Sequence, residues 1–316
     1  MPKKNVVVIG GGHGQSAILR GIKDIKDISI SAIVTVADDG GSTGRLRKQF
    51  HIPAMGDIRN VMLALSESET LMTTLMDYRF SSNPDPDVED SDVQGHNLGN
   101  LILTALTQTC GSFMEAITTV SKVLKVKGDI IPATLQVITL YALMDDETIV
   151  RGEANIPNFD NRIKRVFYTD EVRATPQALE AIKNADLIIY GIGSVYTSIM
   201  PNIIIPEIRT ALRESKAHKV YFCNAMTQPG ETDGYTVEDH VDALLDHGAP
   251  VDDVLIASDE IPDYVIQRYL EEKSTPVIME RERHEYHVIK ADLLSFKGDV
   301  VRHDFMKIHR AVENLL

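Results

Sequence analysis

The sequence predicts an α/β fold built on a Rossmann-like, mostly parallel β-sheet with an added helical region. Residues 6–9 form a continuous β-branched run that ends in glycines, and residues 28–36 form a β-rich run after an intervening stretch with helical spacing. Residues 185–190 form another apolar run that ends directly at glycines. A strand that is buried on both faces has a continuous apolar sequence. The order strand, glycine turn, helix, strand is typical of the beginning of a doubly wound sheet.

The other elements are predicted in order along the chain. Apolar residues recur at helical spacing between Val61 and Val126, which predicts a helical insertion over residues 57–127. Within it, residues 81–92 are acidic and rich in Pro and Ser, which predicts a solvated mobile loop, with a lid over the site as the alternative. Residues 134–143 and 148–153 alternate around an Asp-Asp turn and predict a hairpin. Short apolar runs at 220–223, 254–257 and 277–278 predict further strands.

The chain has 316 residues and a formal net charge of -14, and we interpret residues 1–316 as a single domain. A strongly acidic surface repels nucleic acid and anionic membranes, which excludes both as general partners. No segment is apolar for long enough to span a membrane, and we predict a cytoplasmic location.

Cys110 and Cys223 have no metal-binding spacing and are predicted to be reduced core thiols.

A glycine-rich turn follows the first strand. Its candidate ligand-binding residues are Gly10, Gly11, Gly12, His13 and Gly14. Glycines allow a tight turn that brings N–H groups close to an anion, and the following helix adds the positive end of its dipole. The dinucleotide fingerprint is only half met, because its third glycine position holds Gln15. The turn predicts phosphate binding, with a structural tight turn as the alternative.

Paired acids follow the second predicted strand, where nicotinamide enzymes keep a single acid for ribose. The candidate residues are Asp38, Asp39, Gly40, Gly41, Ser42, Thr43 and Arg45. The glycines, hydroxyls and Arg45 indicate a second anion nest, in which Arg45 balances phosphate charge. Asp38 and Asp39 are candidate ligands of a divalent metal such as Mg²⁺, or of sugar hydroxyls. An ordinary turn is the alternative.

Two polar segments occur within the helical region. In GDIRN, Asp57 is predicted to cap a helix or to bind ligand, and Arg59 to clamp an anion or to lie in solvent. In GHNLGNLIL, Asn97, Asn100 and His96 crowd the start of an apolar helix. That crowding favours a polar site, with capping by Asn97 as the alternative.

Neutral polar groups follow two later strands. The candidate residues are Gly193, Ser194, Thr197 and Ser198 after the first of them, and Asn224, Thr227, Gln228 and Gly230 after the second. The first group suits a diphosphate or sugar lying across backbone amides, and the second suits recognition of a base or sugar. An ordinary strand–loop–helix connection without a binding role is the alternative for both groups. Because the carboxyl ends of parallel strands share one edge, we expect the glycine-bearing loops to converge.

Six motifs carry a resemblance to a known family: GGGHG, DDGGSTGRLR, GDIRN, GHNLGNLIL, GIGSVYTSIMPNI and NAMTQPGETDGYT. In this order they resemble the YvcK family, the putative gluconeogenesis factors, within the CofD-like superfamily, from about residue 5 to residue 310. The resemblance implies a three-layer α/β sandwich and a cytoplasmic protein that binds UDP-N-acetylglucosamine. It also implies a role in cell shape and wall synthesis during growth on gluconeogenic carbon sources.

The resemblance leaves an enzymatic alternative open. Relatives of CofD type are 2-phospho-L-lactate transferases that use a divalent metal, and Asp38 and Asp39 match the position of their metal-binding acids. The deazaflavin-binding pattern of those enzymes is not found here. No Cys–His pair, nucleophile elbow or zinc spacing is found either. The sequence therefore favours a ligand-binding regulator with protein partners, a homodimer being compatible, over a metal-dependent transferase or an NAD-binding protein.

Overall fold

The computed structural model describes residues 3–67, 71–81, 92–281 and 285–316. The predicted acidic loop lies outside these ranges at residues 82–91. The strands are β1 (Lys4–Gly10), β2 (Ile28–Val34), β3 (Asp129–Pro132), β4 (Tyr141–Met144), β5 (Ile149–Arg151), β6 (Ile163–Phe167), β7 (Leu187–Tyr190), β8 (His218–Phe222), β9 (Asp253–Ala257), β10 (His287–Ala291), β11 (Leu294–Ser295) and β12 (Arg302–His303).

Helices fill most of the intervening chain. They are α1 (Gly12–Ile22), α2 (Gly41–Phe50), α3 (Gly56–Leu65), α4 (Leu71–Asp77), α5 (Leu98–Cys110), α6 (Phe113–Val123), α7 (Pro176–Lys183), α8 (Met200–Ile203), α9 (Pro206–Glu214), α10 (Val237–Asp246), α11 (Asp263–Glu271) and α12 (Phe305–Glu313). A 3₁₀ helix spans Glu153–Asn158, and a π-helical turn, Val195–Ile199, leads into α8. No helix in the described ranges is both long and apolar enough to cross a membrane.

Among the described residues, a seven-stranded sheet runs in the order β10-β9-β8-β7-β1-β2-β3. All of its neighbouring strands are parallel. The chain moves from β1 towards β3 in one direction and from β7 towards β10 in the other. The strand order therefore reverses between β1 and β7, which makes this position the topological switch point of a doubly wound sheet.

Helices cover the sheet on both faces. α1 packs against α3 and α12, and α7 packs against α9. Right-handed crossovers that run in opposite directions along a sheet place their helices on opposite faces. The central strand β1 is accordingly buried on both sides, with Val6, Val8 and Ile9 fully inaccessible to solvent. The predicted three-layer α/β sandwich is confirmed.

The predicted helical region is also confirmed. α3, α4, α5 and α6 lie in the connection between the adjacent strands β2 and β3. The predicted hairpin is present as β4 and β5, and β6 joins it to give an antiparallel sheet of order β5-β4-β6. Cys110 and Cys223 are free thiols, of which Cys223 is buried and Cys110 is half-buried.

One predicted strand is wrong. Residues 277–278 lie outside the strands, and the strand that follows β9 is β10. The segment instead pairs locally with the loop after β8, where the Val277 N–H donates to the Ala225 carbonyl at 3.0 Å. Pro276 has no N–H for a ladder, and Ile278 is 58% exposed, so an apolar pair of residues here does not indicate a buried strand.

Candidate functional site

The first glycine turn lies directly against the loop that follows β7. A Cβ atom placed on Gly14 would lie 2.1 Å from the Ile192 carbonyl oxygen and 2.8 Å from the Gly193 Cα. Gly12 has a φ of +60°, a left-handed conformation that glycine adopts without strain. The two loops therefore meet at the switch point, which is where doubly wound sheets bind their ligands.

Two buried asparagines hold this junction together. Asn202 donates from Nδ2 to the Gly10 carbonyl at 3.0 Å. Asn224 donates from Nδ2 to the Gly193 carbonyl at 2.9 Å and accepts from the Gly193 N–H at 3.3 Å. Asn224 occupies both polar groups of Gly193. The other backbone amides near the junction are those at the start of α1, where N–H groups have no partner within the helix.

The Asp57 carboxyl group lies against the first residues of α1. The Gly12 N–H donates to its carboxyl, and a Cβ on Gly11 would lie 2.5 Å from its Oδ2. Burial, together with the nearby Asp38 carboxylate, raises the pKa of Asp57 to about 7. The glycine turn therefore contacts a carboxyl group whose protonation changes near neutral pH.

Asp38 and Asp39 face different neighbours. Asp38 Oδ1 accepts from the Gly40 N–H at 2.9 Å, and burial raises the pKa of Asp38. Asp39 Oδ1 accepts from the Ala154 N–H at 3.0 Å, which ties it to the 3₁₀ helix after β5. Burial and the charges of Asp38 and its neighbours raise the pKa of Glu153 to about 9. These carboxyl groups thus gather at this edge of the sheet, and none of them forms a salt bridge with another described residue.

The carboxyl group beside Asp38 at the glycine turn is Asp57. Among the described residues, no group of three or more His, Cys, Asp or Glu side chains is placed to hold a metal ion. Mg²⁺ in nucleotide sites is usually bound through one or two carboxylates plus the phosphates of the ligand. Asp38 and Asp57 lie near each other and fit that mode of binding, whereas Asp39 turns towards the 3₁₀ helix after β5.

Arg47 fixes the backbone of the aspartate loop. The side chain is 5% exposed and donates from Nη1 to the carbonyls of Ala37, at 2.9 Å, and Asp38, at 2.6 Å. Its Nη2 donates to the Ile138 carbonyl. The guanidinium thus joins the end of β2 to the segment before β4 and orients the two aspartates.

A polar cluster joins α2 to the start of α5. Arg45 Nε donates to His96 Nε2 at 3.1 Å, and His96 Nδ1 lies 2.9 Å from Ser42 Oγ. Since a guanidinium can only donate, His96 Nε2 is unprotonated and Nδ1 donates to Ser42. Burial and the Arg45 charge lower the pKa of His96, consistent with a neutral ring. Asn97 Oδ1 accepts from the Asn100 N–H at 3.2 Å and caps α5.

Glu231 links the loop after β8 to the loop after β7. It is 7% exposed, and it accepts hydrogen bonds from Ser194 Oγ and, at 3.1 Å, from Thr197 Oγ1. Ser194 Oγ also accepts from the Thr197 N–H at 3.0 Å and caps the π-helical turn. These hydroxyls are therefore engaged within the protein and position the loop against the glycine turn.

Three further predicted residues lie in the loop after β8. Gln228 Oε1 is 3.4 Å from Asn224 Nδ2. Thr227 Oγ1 accepts from the Thr275 N–H at 2.9 Å. A Cβ on Gly230 would lie 1.8 Å from the Pro157 carbonyl oxygen, so this glycine permits close packing against the 3₁₀ helix.

The structure thus divides the predicted residues into groups. The junction contains Gly10, Gly11, Gly12, Gly14, Gly193, Ser198 and Asn224, and Asp38 lies near it with Asp57, Gly40 and Thr43 as neighbours. His13 follows Gly12 in α1 and lines a different cavity, with Arg20 and His309. Arg45, Asn97 and Asn100 group around Ser42.

Other polar residues at this edge are not among the predicted site residues. They are Arg47, Glu153, Asn202 and Glu231, and Asp57, predicted as a helix cap or a ligand-binding residue, joins them. Arg47, Asn202 and Glu231 stand within the motifs, which is the available signal. Glu153 carries no local signal, because its role depends on contacts with distant segments.

Known proteins are similar to this chain over most of its length. The family described as 2-phospho-L-lactate transferase CofD matches residues 6–294. A gluconeogenesis factor from Halalkalibacterium halodurans is 46% identical over 99% of this chain and 96% of its own length. The gluconeogenesis factor of Bacillus subtilis is 45% identical over 99% of this chain and 98% of its own.

A solved structure gives the same result. The crystal structure of a UPF0052 family member from Bacillus halodurans superimposes with a TM-score of 0.92 and 46% sequence identity, covering 98% of this chain and 99% of that one. The resemblance carried by the six motifs is therefore confirmed, and this chain belongs to the UPF0052 family of gluconeogenesis factors, within the CofD superfamily.

Proposed function

We propose that this protein binds a nucleoside-diphosphate sugar, UDP-N-acetylglucosamine, at the β1–β7 switch point and acts as a cytoplasmic regulator. The contact of Gly14 with Ile192 and Gly193 carries the proposal, because it joins two glycine-bearing loops at the start of α1. A helix start supplies unpaired N–H groups and a positive dipole end to a diphosphate. The identity of the sugar nucleotide is supported by the family resemblance of the six motifs.

A neighbouring cavity can hold the nucleoside. It has a volume of about 350 Å³ at the carboxyl ends of β8 and β9, and Asn224, Ile261, Met279 and Glu260 line it. Apolar side chains suit a base, and a carboxylate in this region of a doubly wound sheet can accept hydrogen bonds from ribose hydroxyls. Because Asn224 borders both the cavity and the Gly193 loop, one ligand can span the two.

The physiological role follows from the same proposal. Relatives that match nearly the whole chain are named gluconeogenesis factors, and we extend to this protein a role during gluconeogenic growth, in cell shape and wall synthesis. A bound nucleotide would favour one arrangement of the loops, and a partner protein would recognise that arrangement. A homodimer is a further expectation, which sedimentation of the purified protein tests.

Thermal unfolding with added ligands tests the proposed ligand. A ligand at about 100 times its dissociation constant stabilises the folded state by about 2.7 kcal/mol. We expect UDP-N-acetylglucosamine to raise the midpoint, and NAD, or GDP with Mg²⁺, to leave it unchanged. A midpoint that does not respond to the UDP-sugar would exclude this ligand.

A metal-dependent transferase of phosphorus-containing groups is the second candidate. The adjacent carboxyl groups of Asp38 and Asp57 favour it, because burial raises the pKa of each and, among the described residues, neither forms a salt bridge. A metal bound there would neutralise charge on a phosphoryl group. A GDP-induced midpoint shift that requires Mg²⁺ and disappears in Asp38→Asn would support this function over the regulator.

A further inference from the structure

A cavity of about 600 Å³ lies between α2, β5 and the segment before β4. Its wall contains four basic residues, Arg47, Lys48, His51 and Arg151. Asp39 is the acid among its described lining residues, and one Asp39 oxygen already accepts from the Ala154 N–H. The volume is within the range of small-molecule sites, and the charge is opposite to that of the chain as a whole.

The exposed basic residues of this cavity have no ionic partner. In residues 3–67, 71–81, 92–281 and 285–316, no carboxylate lies within 4.0 Å of the charged atoms of Lys48, His51 or Arg151. Lys127 and Lys164, by contrast, pair with Asp24 and Glu147. In a chain of net charge -14, unpaired basic residues gathered around one concave surface create a local positive potential.

Arg47 adds a buried guanidinium to the cavity wall. It lines the same cavity and is 5% exposed. Its Nη atoms donate to backbone carbonyls, and its Nε has no hydrogen-bond partner among the described residues. The side chain is therefore held in place by the protein and contributes positive charge to the cavity.

The helix dipole explains only part of this arrangement. Lys48 and His51 lie at the carboxyl end of α2, where cations are favoured. Arg151 ends β5 in the small antiparallel sheet, and no helix end accounts for its position. The cavity therefore brings together basic residues from two separate parts of the fold.

We infer that this cavity binds a small phosphate monoester. Lys48 and Arg151 contact the phosphate, and Val137, which is 48% exposed, packs against the organic part beside the Thr139 hydroxyl. The concave shape and the acidic surface around it favour a small anion over nucleic acid. This site is separate from the proposed nucleotide site, although Asp39 borders it and follows Asp38 in the chain.

Isothermal titration of the nucleotide-free protein with glucose 6-phosphate tests the inference. We expect saturable binding that weakens with added salt, and none with glucose. The double variant Lys48→Ala/Arg151→Ala should weaken binding at least about tenfold, since it removes two charge-assisted hydrogen bonds. Both side chains are exposed, and thermal unfolding without ligand checks that the variant folds.

A second double variant controls for net charge. Lys127→Ala/Lys164→Ala removes two salt-bridged lysines from elsewhere in the protein and should bind glucose 6-phosphate like the parent protein. Equal loss in both double variants would show nonspecific attraction and overturn the inference. Absence of binding at millimolar glucose 6-phosphate, or equal binding of citrate, would also overturn it. None of these results depends on whether UDP-N-acetylglucosamine binds.

Discussion

Gly14 occupies the point where the two halves of the switch point touch. A methyl group there would lie 2.1 Å from the Ile192 carbonyl oxygen, so Gly14→Ala forces the loops apart. We expect a loss of about 1–3 kcal/mol in unfolding free energy, the usual cost of overpacking, measured by urea denaturation.

Gly10→Ala is the matched control for that substitution. It lies in the same turn, but its added methyl group would meet Gln15 Cβ at 3.4 Å, an ordinary contact. We expect its stability to equal or slightly exceed that of the parent protein, because alanine restricts the unfolded chain. Equal stability of the two variants would contradict the close contact at Gly14.

Asp57 gives the unliganded protein a pH-dependent stability. Its pKa is about 7 in the folded protein against an ordinary value of 3.8 for an aspartate side chain, so the folded state holds the proton more tightly. The stability this confers is present below the unfolded pKa and is lost as pH rises through about 7. As the pH rises from about 5 to about 8, the unfolding free energy of Asp57→Asn should therefore increase relative to that of the parent protein.

Asp146→Asn is a control at a residue whose pKa is shifted in the opposite direction. The Thr148 N–H donates to Asp146 Oδ1 at 3.0 Å and lowers the pKa of Asp146. Its stabilising effect is present above the unfolded pKa and is lost only as pH falls through the folded value. Urea denaturation should therefore show a difference in unfolding free energy between this variant and the parent protein that does not change with pH across the same window. A matching trend in both variants would refute the assignment to Asp57.

At the scale of single elements, α5 depends on Asn97. Its Oδ1 caps the helix and its Nδ2 donates to the Asp77 carbonyl at 3.1 Å. Ser112 caps α6 through a single hydrogen bond. Loss of an N-cap costs about 1 kcal/mol, and we expect Asn97→Ala to cost more than Ser112→Ala in thermal unfolding. A folded Asn97→Ala protein with reduced affinity for the UDP-sugar would instead place Asn97 in the binding site.

Burial explains which elements were predicted from the sequence. β1 and β7 are buried along most of their length and appear as continuous apolar runs. β3 is four residues long and ends in Pro132, and β10 is an edge strand with no buried residue, so neither gives such a run. α12 is amphipathic, but its buried face is spread over Ile308, Ala311 and Val312, and it was not predicted.

The meeting of the two glycine-bearing loops could be predicted, because each loop directly follows a parallel strand. The glycines of the first turn and of the Gly193 loop lie together, as their positions after parallel strands indicated. The aspartate pair was less predictable. Asp38 and Asp39 are adjacent in the chain, yet Asp39 turns towards Ala154 and Asp57 approaches Asp38. Such pairings depend on contacts between distant segments, which a single sequence does not contain.

At the scale of the whole molecule, the small antiparallel sheet supports both halves of the site. The 3₁₀ helix after β5 contacts Asp39 through Ala154 and contacts Gly230 through the Pro157 carbonyl. The aspartate loop and the loop after β8 are thereby attached to one unit outside the main sheet. A substitution that disturbs the 3₁₀ helix should therefore change the positions of both loops.

Two glycines test this support. Gly230 and Gly234 both have positive φ, at +79° and +69°, so substitution by alanine strains the backbone to a similar extent at either position. Only at Gly230 would the methyl group collide, with the Pro157 carbonyl oxygen at 1.8 Å, whereas Gly234 has nothing within 4 Å. We expect Gly230→Ala to be less stable by about 1–3 kcal/mol than Gly234→Ala in chemical denaturation. Equal values would mean that the contact does not constrain the fold.

The central position of β1 also affects how the polypeptide is made. Its first neighbour, β2, follows closely, but its second, β7, is translated only after residues 35–186. At about 5–20 residues per second, the growing chain carries the bare apolar edge of β1 for on the order of ten seconds. An unpaired edge of this kind is a template for wrong pairing. The nascent protein is therefore a natural client for chaperones at the ribosome until its second half emerges.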